Sequence, residues 1–177
     1  MGKRGMKNFI IINGSMGAGK TTVGKRICDM LGRSAFIDGD WCLNIHPFIG
    51  NRETVYMAVD NILHMAKNYC NCSECDYVVL SWIMSENTIN KIILGLSDIN
   101  FKIHSVILTC GEETLIDRWK QDSITEWRNG ENLNIALKSI NDFNKRTDGV
   151  LIDTSNLSVD GVADKVIKKI NLNGSAS

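Results

Sequence analysis

Proline is almost missing from this chain: Pro47 is the single one in 177 residues. No linker is long enough to divide the sequence and no segment repeats, so 1–177 reads as one domain. Net charge is also missing, with 20 basic against 20 acidic side chains. Without a basic stripe or excess, a general attraction to nucleic acid or to an anionic membrane is excluded. Nor does the sequence contain a run of about eighteen apolar residues, the length a membrane-crossing helix requires. Met1-Gly-Lys-Arg-Gly-Met-Lys7 lacks the apolar centre of a signal peptide. The expectation is a cytoplasmic protein with no membrane or nucleic-acid partner. Six cysteines then read as reduced thiols rather than a disulfide framework. Cys70, Cys72 and Cys75 offer three thiolates within six residues. A fourth Cys or His is missing nearby, which favours a polar loop over a zinc site.

What the chain does have is concentrated between Phe9 and Thr22, FIIINGSMGAGKTT. Phe9 to Ile12 form the short apolar run of a fully buried strand. Gly14-Ser-Met-Gly-Ala-Gly19-Lys20-Thr21 matches G-x-x-x-x-G-K-[ST] without a gap. Val23, Ile27, Met30 and Leu31 follow at helical spacing until Gly32. Strand, glycine-rich loop and helix in that order predict a phosphate cradle. Gly14, Gly17 and Gly19 let the backbone turn tightly enough to aim successive N–H groups inward, with Ser15, Ala18 and Thr22 completing the loop. The helix beginning at Lys20 adds the positive end of its dipole. Lys20 supplies a point charge for the β- and γ-phosphates, and the Thr21 hydroxyl is placed to ligate Mg²⁺. The expected ligand is a nucleoside triphosphate, ATP with Mg²⁺.

Further along, Ser34 to Ile37 reads as a second strand running into Asp38-Gly39-Asp40-Trp41. Ligands of an open parallel sheet sit beyond the carboxyl ends of its strands, so both carboxylates would face the crevice of the phosphate loop. Leu43 to Asn51 is irregular and contains His46-Pro47-Phe48. Arg52 to Tyr69 repeats apolar residues as an amphipathic helix. Asp76 to Ile83 is a β-branched third strand ending in Ser81-Trp82, where an Asp that organises the metal would ordinarily stand. That leaves Asp38 or Asp40 as the carboxylate near the metal. Trp82 suits either the floor under a substrate ring or the core. Glu86 to Leu96 predicts a helix with Ile89, Ile92, Ile93 and Leu96 on one face, and Ile103 to Leu108 a fourth strand. The next helix opens at Gly111 and carries Leu115, Ile116 and Trp119 inward. Polar sequence at about 119–133 then reads as a lid, with Arg118 and Arg128 available to meet phosphate charge. A helix over Ile135 to Phe143, a strand over Val150 to Ile152 and a helix over Val159 to Ile170 close the chain.

With the motif at Gly14–Thr22, Asp38-Gly39-Asp40, and more loosely Arg118 and Asp153-Thr154, the chain resembles the small-molecule and nucleoside-monophosphate kinase branch of phosphate-loop (P-loop) proteins. Shikimate kinases, gluconate kinases and chloramphenicol phosphotransferase belong to that branch. The resemblance implies an α/β three-layer sandwich, with a five-stranded parallel sheet in the order 2-3-1-4-5 and helices on both faces. It also implies a substrate-binding helical segment at about 40–75 and a lid between helices. Asp38 matches the strand-two carboxylate that acts as base or in the metal network, and Asp40 the one that holds the acceptor hydroxyl. Arg118 matches the arginine at the lid's base, Arg128 the lid arginine, and Thr154 to Asn156 the loop beside adenine. The chain is similar, too, to uncharacterised bacterial ATP-binding proteins with an Asp-Gly-Asp, His-Pro-Phe and strand-three tryptophan layout. The acceptor motifs of shikimate kinases are absent.

These readings converge on a kinase moving the γ-phosphoryl of Mg-ATP to a hydroxyl or phosphate of a small acceptor, in a monomer or homodimer. Lys20, Asp38 and Arg128 are its expected catalytic residues, and Asp40, Trp41 and Trp82 would line the acceptor. The two tryptophans suit a flat ring, whereas a sugar acid would call for more arginines. An ATP-dependent switch or regulatory module without an acceptor is the alternative. A GTPase is disfavoured because Asn144-Lys145-Arg146-Thr147-Asp148 sets its Asp one residue late and precedes its strand.

Overall fold

The computed structural model describes residues 6–121 and 130–171. Strand β1 (Lys7–Gly14) leads through the glycine loop into helix α1 (Lys20–Leu31), then β2 (Ser34–Asp38), a one-turn helix α2 (Gly39–Cys42) and the long α3 (Arg52–Asn71). β3 (Tyr77–Ser81), α4 (Glu86–Gly95), β4 (Phe101–Thr109), α5 (Glu112–Gln121), α6 (Gly130–Asn144), β5 (Val150–Asp153) and α7 (Val159–Lys169) complete the order. The five strands form one parallel sheet in the order β2-β3-β1-β4-β5. Among the described residues no helix is long and apolar enough to cross a membrane.

The unbroken apolar run of β1 follows from its central place. Side chains alternate across a strand, and a strand covered on both faces needs apolar groups at every position. Phe9 and Ile11 enter a core layer shared with α3 and α4, where Ile37, Ile62, Leu80 and Ile92 also meet. Ile10 and Ile12 enter the opposite layer, against Val23 and Ile27 of α1 and Val162 and Val166 of α7. All four β1 side chains are fully buried, each a stabilisation of about 1.5–3 kcal/mol relative to exposure. A third, smaller cluster joins Leu115 and Trp119 of α5 to Ala136 and Ile140 of α6.

Several element ends differ from the sequence expectation. Between β2 and the irregular stretch that begins at Leu43, Gly39 to Cys42 makes a helical turn capped by the Asp38 side chain, which the sequence reading did not include. α6 begins at Gly130 rather than Ile135; Gly130 to Asn132 carry no apolar side chain, and the stripe that packs on α5 starts at Leu133. Ile93 shares a helical face with Ile89 and Ile92, yet it is exposed. Cys70 is half-buried, Cys72 exposed and Cys75 buried, all as free thiols.

Candidate active site

Parallel pairing brings the strand ends into one row. Asp38 of β2 sits in register with Ser81 of β3, Ser81 with Ile12 of β1, Gly14 of β1 with Leu108 of β4, and Thr109 of β4 with Asp153 of β5. Above that edge opens a cleft of about 810 Å³ lined by the loop from Met16 to Val23. Its size is that of a small-molecule site.

The loop holds its shape through glycine and through Asn13. Gly14 lies at φ 147°, and a Cβ there would sit 2.3 Å from the Leu108 carbonyl oxygen. Neither the backbone angle nor the space admits another residue. Gly19, at φ 89°, precedes the first turn of α1. Fully buried Asn13 accepts the N–H groups of Gly14 (2.9 Å) and Met84 (3.0 Å) and donates its amide to the Met84 carbonyl (2.9 Å). The start of the loop is thereby fastened to the segment after β3. Ser15 is buried beneath the loop and takes no part in lining the cleft, whereas Gly17, Ala18, Gly19, Lys20, Thr21 and Thr22 all line it.

Lys20 donates to the Ser15 carbonyl at 2.8 Å. Burial pushes its ammonium from 10.5 down to about 8, against the attraction of Asp40 and then Asp38. Asp40 lines the same cleft. Burial raises its carboxyl above the ordinary range, and the neighbouring Asp38 charge adds to this; Lys20 and a hydrogen bond from Trp82 pull it back. A carboxylate whose proton affinity is raised by burial, opposite a cation, can accept a proton and still answer to the charge beside it.

Asp38 is placed differently from Asp40. Its Oδ1 accepts the Asp40 N–H at 3.0 Å, and it lines an outer groove with Trp41, Phe36 and Lys25 rather than the cleft itself. Trp41 likewise lies outside the cleft, 75% exposed. Successive residues of a helical turn point about 100° apart, so the turn that aims Asp40 inward swings Trp41 out. Trp82 is in both of the places open to it. It is 7% exposed, packed in the core layer of α3 and α4, and forms a wall of the cleft. The close approach is possible because residue 39 is glycine, whose added Cβ would lie 2.1 Å from Trp82 Cγ.

On the other flank Arg118 reaches under the loop. It donates to Thr154 Oγ1 (3.0 Å), to the Thr154 carbonyl (2.9 Å) and to the Ala18 carbonyl (3.5 Å). Thr154 Oγ1 in turn donates to the Thr109 carbonyl at 2.9 Å. Thr154 is thus the anchor that fixes Arg118 at the edge of the cleft. Arg128 and lid positions 122–129 lie outside the described residues. Sequence reasoning did not single out Asn44, Ile45, Phe48, Ile83 or Leu157, which also line the cleft. His46 lines the cleft as well.

The donors at the strand ends fit Mg²⁺ in kind: Thr21 Oγ1, the carboxylates of Asp38 and Asp40, and Ser81 Oγ, which is buried without a hydrogen-bond partner among the described residues. All are hard oxygens, the type this ion takes.

No curated protein matches the chain by sequence. The fold recurs among solved structures. A gluconokinase from Sinorhizobium meliloti 1021 aligns with a TM-score of 0.69 at 16% identity, covering 96% of this chain and 94% of its own. The APS kinase of Mycobacterium tuberculosis in complex with AMPPNP and APS aligns at 0.66 and 14% identity, covering 95% and 99%. Shikimate kinase from Acinetobacter baumannii in complex with shikimate aligns at 0.60 and 20% identity, covering 96% of each chain. A family model described as an AAA domain matches residues 10–137, from the middle of β1 into α6. That span takes in the phosphate loop, both strand-two carboxylates and Arg118, and the chain belongs to this AAA-domain family.

Proposed function

We propose that this protein is an ATP-dependent phosphotransferase that moves the γ-phosphoryl of Mg-ATP to a hydroxyl or phosphate of a small acceptor. The observation that carries it is that Lys20 and Asp40 line one continuous cleft. A cation for the phosphates and a carboxylate for an incoming hydroxyl thus serve the same space. That the fold is shared with kinases of small molecules supports the same reading.

In this reading the loop amides and the α1 N-terminus bind the phosphates, and Lys20 balances charge that moves toward the β-phosphate. Asp40 takes the proton of the acceptor hydroxyl as its oxygen bonds to the γ-phosphorus and the bridge to the β-phosphate breaks. Asp38 orients Asp40 through its N–H and adds negative charge to the metal side. Thr21 would hold Mg²⁺, with the Asp38 carboxylate as the acidic group on the metal side, and the ion when bound would offset phosphate charge. Arg128, in the lid, would meet the same charge from above.

ADP release tests this. Wild-type protein with Mg-ATP should release ADP only when an acceptor is supplied. Lys20→Ala should abolish turnover, and Asp40→Asn should bind ATP yet turn over on the order of 10²–10⁴-fold more slowly. Equal ADP release in every tube, with or without acceptors, would instead favour an ATP-dependent switch.

A further inference from the structure

In the kinase reading, sheet order gives the phosphate loop of β1 a carboxylate flank on the β2–β3 side, with Asp40 and Trp82. A nucleotide flank stands on the β4–β5 side, with Arg118 and Thr154. The stretch Asn144-Lys145-Arg146-Thr147-Asp148, which leaves α6 and leads into β5, ties one side to the other. Its Asp148 is committed to Arg146. The carboxylate accepts from Nε at 2.8 Å and from Nη2 at 2.5 Å, and the two side chains are only 18% and 16% exposed. The same hydrogen bonding holds the Asp148 carboxyl below the usual carboxylate range. With the Phe143 ring centre 5.3 Å from the guanidinium carbon, this two-pronged grip fixes how Arg146 points. Its Nη1 then donates to the Met84 carbonyl at 2.6 Å.

Met84 is the residue on which several supports of the cleft converge. It is 2% exposed and ends the short run between β3 and α4, of which Trp82 and Ile83 line the cleft. Its carbonyl also accepts Asn13 Nδ2 at 2.9 Å, so both lone pairs of a buried oxygen are filled. Asn13 Oδ1 in turn accepts the N–H groups of Met84 and of Gly14. A line of hydrogen bonds therefore runs from Arg146 through Met84 and Asn13 to the first glycine of the phosphate loop. Removing Nη1 takes the charge-assisted donor from a carbonyl that also orients the Asn13 amide, and so loosens the hold of Asn13 on Gly14.

Resting on the reading of this loop as the Mg-ATP site, we infer that Arg146 is a positioning residue for the phosphate loop. Through the Met84 carbonyl and Asn13 it fixes the start of the loop, and with it the fit of the triphosphate.

The test measures the affinity of the full chain for Mg-ATP by calorimetry, well below the unfolding temperature, and amide exchange at Gly14 and Met84. Arg146→Met should weaken Mg-ATP binding about fivefold or more. Arg146→Lys, which keeps the charge and a donor, should recover part of that loss. Asp148→Asn leaves Nη1 in place and should cost less than Arg146→Met. In folded Arg146→Lys the Gly14 and Met84 amides should exchange faster than in the wild type, while those of α7 keep their rates. A merely structural arginine would lower Tm and leave nucleotide affinity untouched. Wild-type affinity in both Arg146 variants overturns the inference and leaves the phosphotransferase reading standing. So do equal losses in Arg146→Met and Asp148→Asn, or unchanged exchange at Gly14. Arg146→Lys decides alone if Arg146→Met does not fold. Failure of the wild-type chain to bind Mg-ATP overturns both.

Discussion

Lys20 combines two demands that oppose each other with pH. Burial lowers its pKa from 10.5 to about 8. Between those values the unfolded chain holds a proton that the folded chain has released, so raising the pH through that window favours folding. Below about 8 both states are charged, and the buried ammonium costs the fold its desolvation. Triphosphate binding has the reverse dependence, because it needs the ammonium. Affinity for Mg-ATP should fall by about tenfold per pH unit above pH 8, with one proton taken up per nucleotide bound in that range. Calorimetry in buffers of different ionisation enthalpy checks this. No proton uptake at pH 9 would mean that Lys20 stays charged in the free protein. The motif around Lys20 was legible in the sequence because each residue's role is local. The difference between Asp38 and Asp40 was not, since both stand at one strand end and only the helical turn of Gly39–Cys42 separates their directions.

At the scale of elements, Gly39 and Trp82 set where the acceptor carboxylate stands. A Cβ at residue 39 would overlap Trp82 Cγ, Cβ and Cδ1 at 2.1–2.6 Å. Gly39→Ala should therefore destabilise the protein by about 1–3 kcal/mol through overpacking and impair turnover by displacing Asp40. Gly130→Ala, at the first residue of α6 where an added Cβ meets nothing within 4 Å, should be neutral or stabilising by about 0.4–1 kcal/mol. Urea denaturation of the two variants side by side would show whether the Trp82 contact is the cause; equal effects would remove it. Periodicity located α1, α3, α4, α5 and α7 because their apolar stripes meet a sheet or another helix. It misled at Met30 and Ile93, which are exposed. Angular position about a helix axis does not tell whether anything lies opposite.

For the whole molecule, loop, carboxylate flank and nucleotide flank are parts of one sheet edge, so a bound nucleotide stabilises the entire fold. At 100 times its dissociation constant Mg-ATP should add about 2.7 kcal/mol to unfolding, or roughly 5–10 °C in Tm for a domain of this size. Thermal unfolding monitored by tryptophan fluorescence would register it. Lys20→Ala should lose most of the shift; a full shift in that variant would place the triphosphate elsewhere.

The sequence by itself determined the phosphate loop and the alternation of strands and helices that makes a parallel sheet, whereas the strand order was an implication of the family resemblance. A contiguous motif and apolar runs of fixed period encode the first two, and both are properties of neighbouring residues. Tertiary structure alone decided which of two carboxylates faces the cleft, that Trp82 lines it while Trp41 does not, and that Thr154 holds Arg118 in place. Those outcomes depend on strand register, on the sense of one helical turn and on pairings between residues as distant as Arg118 and Ala18. No local pattern records them.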